Sequence, residues 1–122
     1  MQASEVDART LHEVYYPPFA AAVAAGAASV MCSYNLVRTS AQPAGEYEHA
    51  CGNAQVLQTD LKAGMDFEGW VMSDWWAVHG GTAAAAGVDQ ELPGTPAADN
   101  SVHFTAPTLE RLSGGDEAWQ WP

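Results

Sequence analysis

Gly69 is followed by Trp70-Val71-Met72-Ser73, a short and largely apolar run, then by Asp74 and Trp75, with His79-Gly80-Gly81 soon after. Such a run, bounded by glycine, suits a strand buried in a parallel sheet, and parallel pairing needs crossover connections, usually helices, packed on the sheet. An acid at the C-terminal tip of such a strand points into the mouth where βα loops build the active sites of barrel enzymes. Asp74 is therefore a candidate nucleophile. The same residue also suits the N-cap of a following helix or an Asx turn, and the strand alone does not separate these readings.

The flanking segments alternate. Asp7 can cap a helix with Leu11, Val14 and Tyr15 on one face, and Pro17-Pro18 is expected to bend or end it. A second helix is expected from Pro18, with Phe19 and Val23 on one face and Gly26 just past its end. Ser29 to Tyr34 reads as the first strand, and Arg38 to Gly52, which mixes Ser, Pro, Gly, Glu and His without a period, reads as a long exposed loop. Asn53 then caps a helix with Ala54, Leu57 and Leu61 on one face, closed by Gly64 ahead of the Trp70 to Ser73 strand. After an alanine-rich turn ending at Gly87, Val88 to Leu92 is a third short strand stopped by Pro93-Gly94. The pattern is α/β with parallel pairing. Thr95 to Ser101 reads as a loop, Thr108 to Leu112 as a helical turn, and the closing Trp119-Gln120-Trp121-Pro122 has no partner legible in the sequence.

Composition removes several function classes. Four Lys+Arg against fifteen Asp+Glu give a formal charge of −11, which repels phosphate backbones and anionic lipid, so neither nucleic acid nor a membrane is expected as a partner. No apolar run approaches the roughly 18 residues that span a bilayer, and Met1 to Asp7 lacks the basic start and apolar centre of a signal peptide. Cys32 and Cys51 suit one disulfide or two thiols, leaving the redox compartment open. Together with His49 and His79 they match no closed zinc spacing, so no metal is expected; a cofactor is not expected either.

Met31-Cys32-Ser33-Tyr34-Asn35, Ala50-Cys51-Gly52-Asn53, Leu57 to Leu61, Gly69 to Trp75 and Ala86-Gly87-Val88-Asp89-Gln90-Glu91-Leu92-Pro93-Gly94 occur in an order that resembles the late N-terminal domain of glycoside hydrolase family 3, the β-glucosidase group. Arg9-Thr10-Leu11 and Pro17-Pro18-Phe19 fit the same pattern, so the resemblance covers residues 4–94 and leaves 95–122 as an irregular tail without a match. It implies a (β/α)8 barrel, of which this chain offers about three βα units, too few to close, since a full barrel takes roughly 200 residues or more. It also implies that Asp74 is the nucleophile of a retaining glycosidase, with Tyr34 on the floor of the sugar pocket, Met31 as a neighbouring apolar wall and Trp75 as an indole platform at the rim.

Retention needs a second carboxyl about 5 Å from the first, and Glu91, the nearest acid in the matched region, reads better as a structural group at a strand end. The general acid is expected outside this chain, as is the family's upstream Lys-His pair. The expectation is thus a fragment of a retaining glycosidase acting on terminal β-linked glucose or a related sugar, with the remainder of the barrel or another chain as its structural partner. The alternative is a non-catalytic remnant binding carbohydrate or protein through Tyr34, Trp75 and Trp76. Several positions depart from the family pattern: a long insert from Arg38 to His49, Gly52 in place of an acid, Gln90 in place of an apolar residue, and Trp76 where a small residue is common. His79, in a Gly-flanked loop, reads as a local hydrogen-bonding group.

Overall fold

The computed structural model describes residues 2–96 and 101–114, so the closing Trp119 and Trp121 and part of the Thr95 to Ser101 loop lie outside the described residues. The described residues are mixed α/β, with two small sheets among them.

Asp7 caps the first helix as its sequence suggests, accepting the Thr10 N–H at 2.9 Å and the Thr10 hydroxyl at 2.7 Å. The helix does not stop at the prolines. It runs as α1 (Ala8–Thr10), a π-type stretch over Leu11–Tyr15 and α2 (Tyr16–Ala24), so the two helices expected on either side of Pro17-Pro18 are one. Pro17 and Pro18 fall in the first turn of α2, and the widened stretch just before them takes up the loss of two N–H donors. The far end forms a Schellman motif: Gly26, at φ +92°, donates to Val23 O and Ala27 donates to Ala22 O.

β2 (Ser29–Cys32) pairs in parallel with β5 (Trp70–Ser73), with Ser29 opposite Trp70 and Cys32 opposite Ser73. The expected first strand thus forms, stopping at Cys32 as a regular element. Gly69 is required where β5 begins, because a Cβ there would strike the Ala28 carbonyl and the Phe67 ring. The connection between these strands includes the π-type helix Gln55–Gly64, whose Leu57 and Leu61 join Phe67, Val71, Val78 and Val88 in the core. Asn53 caps its start by accepting the Val56 N–H at 3.1 Å.

The loop expected from Arg38 to Gly52 is kept over 39–47, most of which is exposed, but both ends of the stretch are ordered. β3 (Leu36–Arg38) pairs antiparallel with β4 (Glu48–His49) and parallel with β1 (Ala3–Glu5), giving a three-stranded sheet ordered β1-β3-β4, followed by a 3-10 turn at Ala50–Gly52. The turn between β3 and β4 is held by buried Thr39, whose N–H and hydroxyl both bond the Gln42 side-chain oxygen at 2.8 Å. No hydrophobic period announces these strands, because β3 is paired both with β4 across the loop and with β1, 33 residues earlier in the chain.

The expected third strand at Val88 to Leu92 is reduced to one parallel bridge, Met72 with Gln90. The reason is a side chain. The Asp89 carboxylate accepts the Val71 N–H at 2.7 Å, where a neighbouring strand would supply a backbone carbonyl, and Lys62 then grips the same carboxylate. α3 (Ala106–Leu112) extends the helical turn expected at Thr108, and Phe104 ahead of it packs against the core. None of the helices among the described residues is long and apolar enough to cross a membrane.

Candidate active site at the tip of β5

Val71 and Ser73 are fully buried, which fixes β5 in depth and register. The parallel ladder continues one step past the strand, since the Asp74 N–H donates to Cys32 O at 3.1 Å, and this delivers the carboxylate to the strand tip. On the other edge, Ser73 donates its N–H to Gln90 O and its hydroxyl oxygen accepts the Leu92 N–H at 2.8 Å, so the tip is anchored from both sides.

Two donors converge on one carboxylate oxygen. The Tyr34 hydroxyl donates to Asp74 Oδ1 at 3.1 Å and the Trp75 N–H donates to the same atom at 2.7 Å. Among the described residues no hydrogen bond is directed at Oδ2. The helix-cap reading of Asp74 fails, because the acceptor role goes to its neighbour within a tight turn and no helix begins there; the next helical turn is the 3-10 segment Gly81–Ala83. Partial desolvation, then the hydrogen bond to Asp74 and its negative charge, push the Tyr34 phenol above its ordinary value, so at neutral pH Tyr34 keeps the proton it donates.

Behind this pair, Cys32 and Cys51 form a disulfide with their Cα atoms 5.2 Å apart. It ties β2, two residues before Tyr34, to the 3-10 turn that follows β4. Trp75 is about half exposed, as are Tyr34 and Met31. The structure brings Asp74, Tyr34 and Trp75 together, whereas Met31 does not join them through a hydrogen bond. It lines a separate cavity of about 500 Å³, shared with Leu11, Phe19 and Leu57, whose walls include neither Asp74 nor Tyr34. The size of that cavity is no guide to the chemistry, because the two acids that line it, Glu5 and Asp7, are bonded to Arg38 and to Thr10 respectively.

Glu91 is engaged elsewhere. Its carboxylate accepts the backbone N–H groups of His103 and Phe104 at 2.7–3.1 Å, which is the structural use expected of it. His79 stacks face to face on His49 with ring centroids 3.8 Å apart, beside a cavity of about 280 Å³ that includes Tyr47, Glu48 and Thr82. Burial, then the charge of His79, pushes the His49 imidazole below its ordinary value. Sequence reasoning missed this stack and the Asp89 grip on β5. Both join residues whose spacing carries no period, and of those residues only His79 stands in a glycine-flanked loop.

Residues 1–96 match the sequence model of the glycosyl hydrolase family 3 N-terminal domain. This chain belongs to glycosyl hydrolase family 3. Among its family 3 relatives, a probable β-glucosidase A of Aspergillus fumigatus is 44% identical over 121 residues, covering 97% of this chain and 13% of the relative. Beta-glucosidase 1 of Aspergillus aculeatus is 40% identical over the same coverage. A β-D-glucoside glucohydrolase from Trichoderma reesei superposes with a TM-score of 0.77 at 40% identity, over 94% of this chain and 15% of that one. DesR, a β-glucosidase from Streptomyces venezuelae in complex with D-glucose, superposes at 0.70 with 36% identity, over 93% of this chain and 15% of its own. The chain thus spans about one eighth of the length of the curated relatives it matches.

Proposed function

We propose that this chain carries the nucleophile half of a retaining glycoside hydrolase acting on terminal β-linked glucose or a related sugar. Residues 4–94 are then part of a (β/α)8-type barrel, a reading supported by the parallel β2 and β5 joined through the Gln55–Gly64 helix, and 95–122 lie outside it. The observation that carries the proposal is the paired donation of Tyr34 and the Trp75 N–H to Asp74 Oδ1.

With one oxygen held, Oδ2 is left to form the bond to the anomeric carbon as the glycosidic C–O bond breaks. The leaving oxygen takes a proton from a second carboxyl, and water then hydrolyses the glycosyl ester with that same group acting as base. Glu91 is committed to two backbone N–H groups, so the second carboxyl is assigned to a part of the enzyme outside the described residues. Tyr34 orients the nucleophile, Trp75 offers a flat apolar face to the sugar, and Met31 is assigned a wall of the pocket on family resemblance. The remainder of the barrel is the structural partner.

Incubation with a 2-deoxy-2-fluoroglucosyl fluoride should leave a covalent hexosyl adduct on the peptide containing Asp74, read by mass spectrometry, and Asp74→Asn should abolish it. An adduct on a different carboxylate would overturn the assignment of Asp74. Carbohydrate binding without any adduct would favour the non-catalytic reading, in which the half-exposed Tyr34, Trp75 and Trp76 serve as a binding surface.

A further inference from the structure

Among the described residues β5 has a full strand partner, β2, on one edge only. Trp70 and Asp74 donate their N–H groups on that edge, to Ala28 O and Cys32 O, whereas Val71 and Ser73 donate on the other, where residues 89–92 run alongside. There the Gln90 N–H donates to Val71 O at 3.1 Å and the Ser73 N–H to Gln90 O at 2.9 Å, the pattern of a parallel pair. Continued downward, that pattern puts the Val88 carbonyl opposite the Val71 N–H. The chain instead reaches Val88 out of a turn, with Gly87 at φ +115° and the Val88 N–H bonded to Ala83 O. Asp89 fills the vacant place. Its Oδ2 accepts the Val71 N–H at 2.7 Å while its own N–H donates to Val71 O at 2.8 Å, and Lys62, in the last turn of the Gln55–Gly64 helix, holds both carboxylate oxygens at 2.7 and 2.8 Å.

This clamp bears on Asp74 in two ways. Side chains alternate between the faces of a strand, so a slip of one residue would present Ser73 or Trp75 where Asp74 stands, and a four-residue strand paired on one edge resists such a slip weakly. Asp89 closes on both backbone groups of Val71 and so fixes the register. The clamped segment also reaches the turn beyond the carboxylate: the Leu92 N–H donates to Ser73 Oγ, and Leu92 O accepts the Trp76 N–H, each at 2.8 Å. Trp76 sits at φ +54°, a region that bulky residues rarely take, and the bond to Leu92 O helps to hold it there. The same turn aims the Trp75 N–H at Asp74 Oδ1.

We propose that Asp89 is a positioning residue for Asp74, acting through the Val71 backbone and the 89–92 segment, with Lys62 as the counter-charge that lets a carboxylate stand in for a strand carbonyl. Its effect on the chemistry rests on the reading of Asp74 as the nucleophile.

The test follows the Trp75 amide proton resonance of the isotope-labelled full chain, which reports the bond to Oδ1 within the folded state, together with urea denaturation and fluorosugar labelling. Asp89→Leu, similar in size but without an acceptor, should move the resonance upfield and slow labelling of Asp74 at saturating sugar about a hundredfold, the scale expected for a displaced reacting group. Asp89→Asn keeps an oxygen for the Val71 N–H, so it should leave the resonance in place and restore most of the rate. Lys62→Met and Val71→Ala keep that bond as well, and each should lower the urea midpoint with the resonance unmoved. Where Asp89→Leu does not fold, Asp89→Ser, whose oxygen is one bond too short to reach Val71, takes its place. A resonance unmoved in the Leu or Ser variant, or moved as far by Asp89→Asn or Val71→Ala, overturns the assignment. A resonance that moves as expected in a chain whose Asp74 never takes the label upholds the positioning and removes the nucleophile, whereas a label taken by Asp89→Leu at an undiminished rate does the reverse.

Discussion

α2 and β5 are both apolar in composition and have opposite fates. None of the nine residues of α2 is buried, and ahead of it and within it Val14, Tyr15 and Phe19 stay half exposed or more. β5 has only four residues, yet Val71 and Ser73 are fully inaccessible and both of its edges are hydrogen-bonded. Local preference explains the helix: an Asp cap, prolines in the first turn, an alanine-rich body and a glycine stop specify it without help from its surroundings. The strand's residues favour an extended chain, but its four residues cannot stand alone and it depends on β2, on the Asp89 side chain and on the Gln55–Gly64 helix. The candidate chemistry sits on the element with the least local and the most tertiary support, which is what a rigidly placed carboxylate requires.

The largest expected effect lies on the strand side. Replacing the disulfide, as Cys32→Ala with Cys51→Ala, releases a loop closed across 19 positions and should cost about 3 kcal/mol in urea denaturation. The same loss should follow addition of reductant to the wild type. A loss below about 1 kcal/mol would show that β2 and β5 hold together without it, and the contrast with α2 would weaken.

One substitution made in both regions sharpens the comparison further. Val71→Ala removes two methyl groups from a fully buried site and should destabilise by about 2–3 kcal/mol, while Val14→Ala, at a site 60% exposed, should stay within about 0.5 kcal/mol. Equal costs would mean that the helix is packed in solution more tightly than its exposure indicates.

The smallest expected effect is a pH dependence. The folded-state pKa of His49 lies below its unfolded value near 6.5, so the unfolded chain binds more protons. The stability this residue contributes is fully present above 6.5 and is lost as pH falls through the lowered value. The urea midpoint should therefore drop between pH 7 and pH 5, and drop less in His49→Gln. An unchanged slope in that variant would assign the acid sensitivity to other groups and remove the His49–His79 stack from the account.

What the residues alone determined was the order of elements: a capped helix, a strand at Ser29, a helix after Asn53 and a strand ending at Asp74, whereas the third strand they suggested at Val88 to Leu92 is only a bridge. Those follow from caps, glycine stops and apolar spacing, which act within a few residues. Tertiary structure decided everything that joins distant segments. It carried the helix through Pro17-Pro18, built β1-β3-β4 from an unpatterned stretch, and substituted the Asp89 carboxylate for a strand carbonyl. It also brought the Tyr34 hydroxyl, forty residues earlier in the chain, to Asp74 Oδ1 and left Trp76 strained beside it. The physical reason is one of range: propensity and capping are read along the chain, whereas the donors that aim a carboxylate are set by which segments pack against its strand.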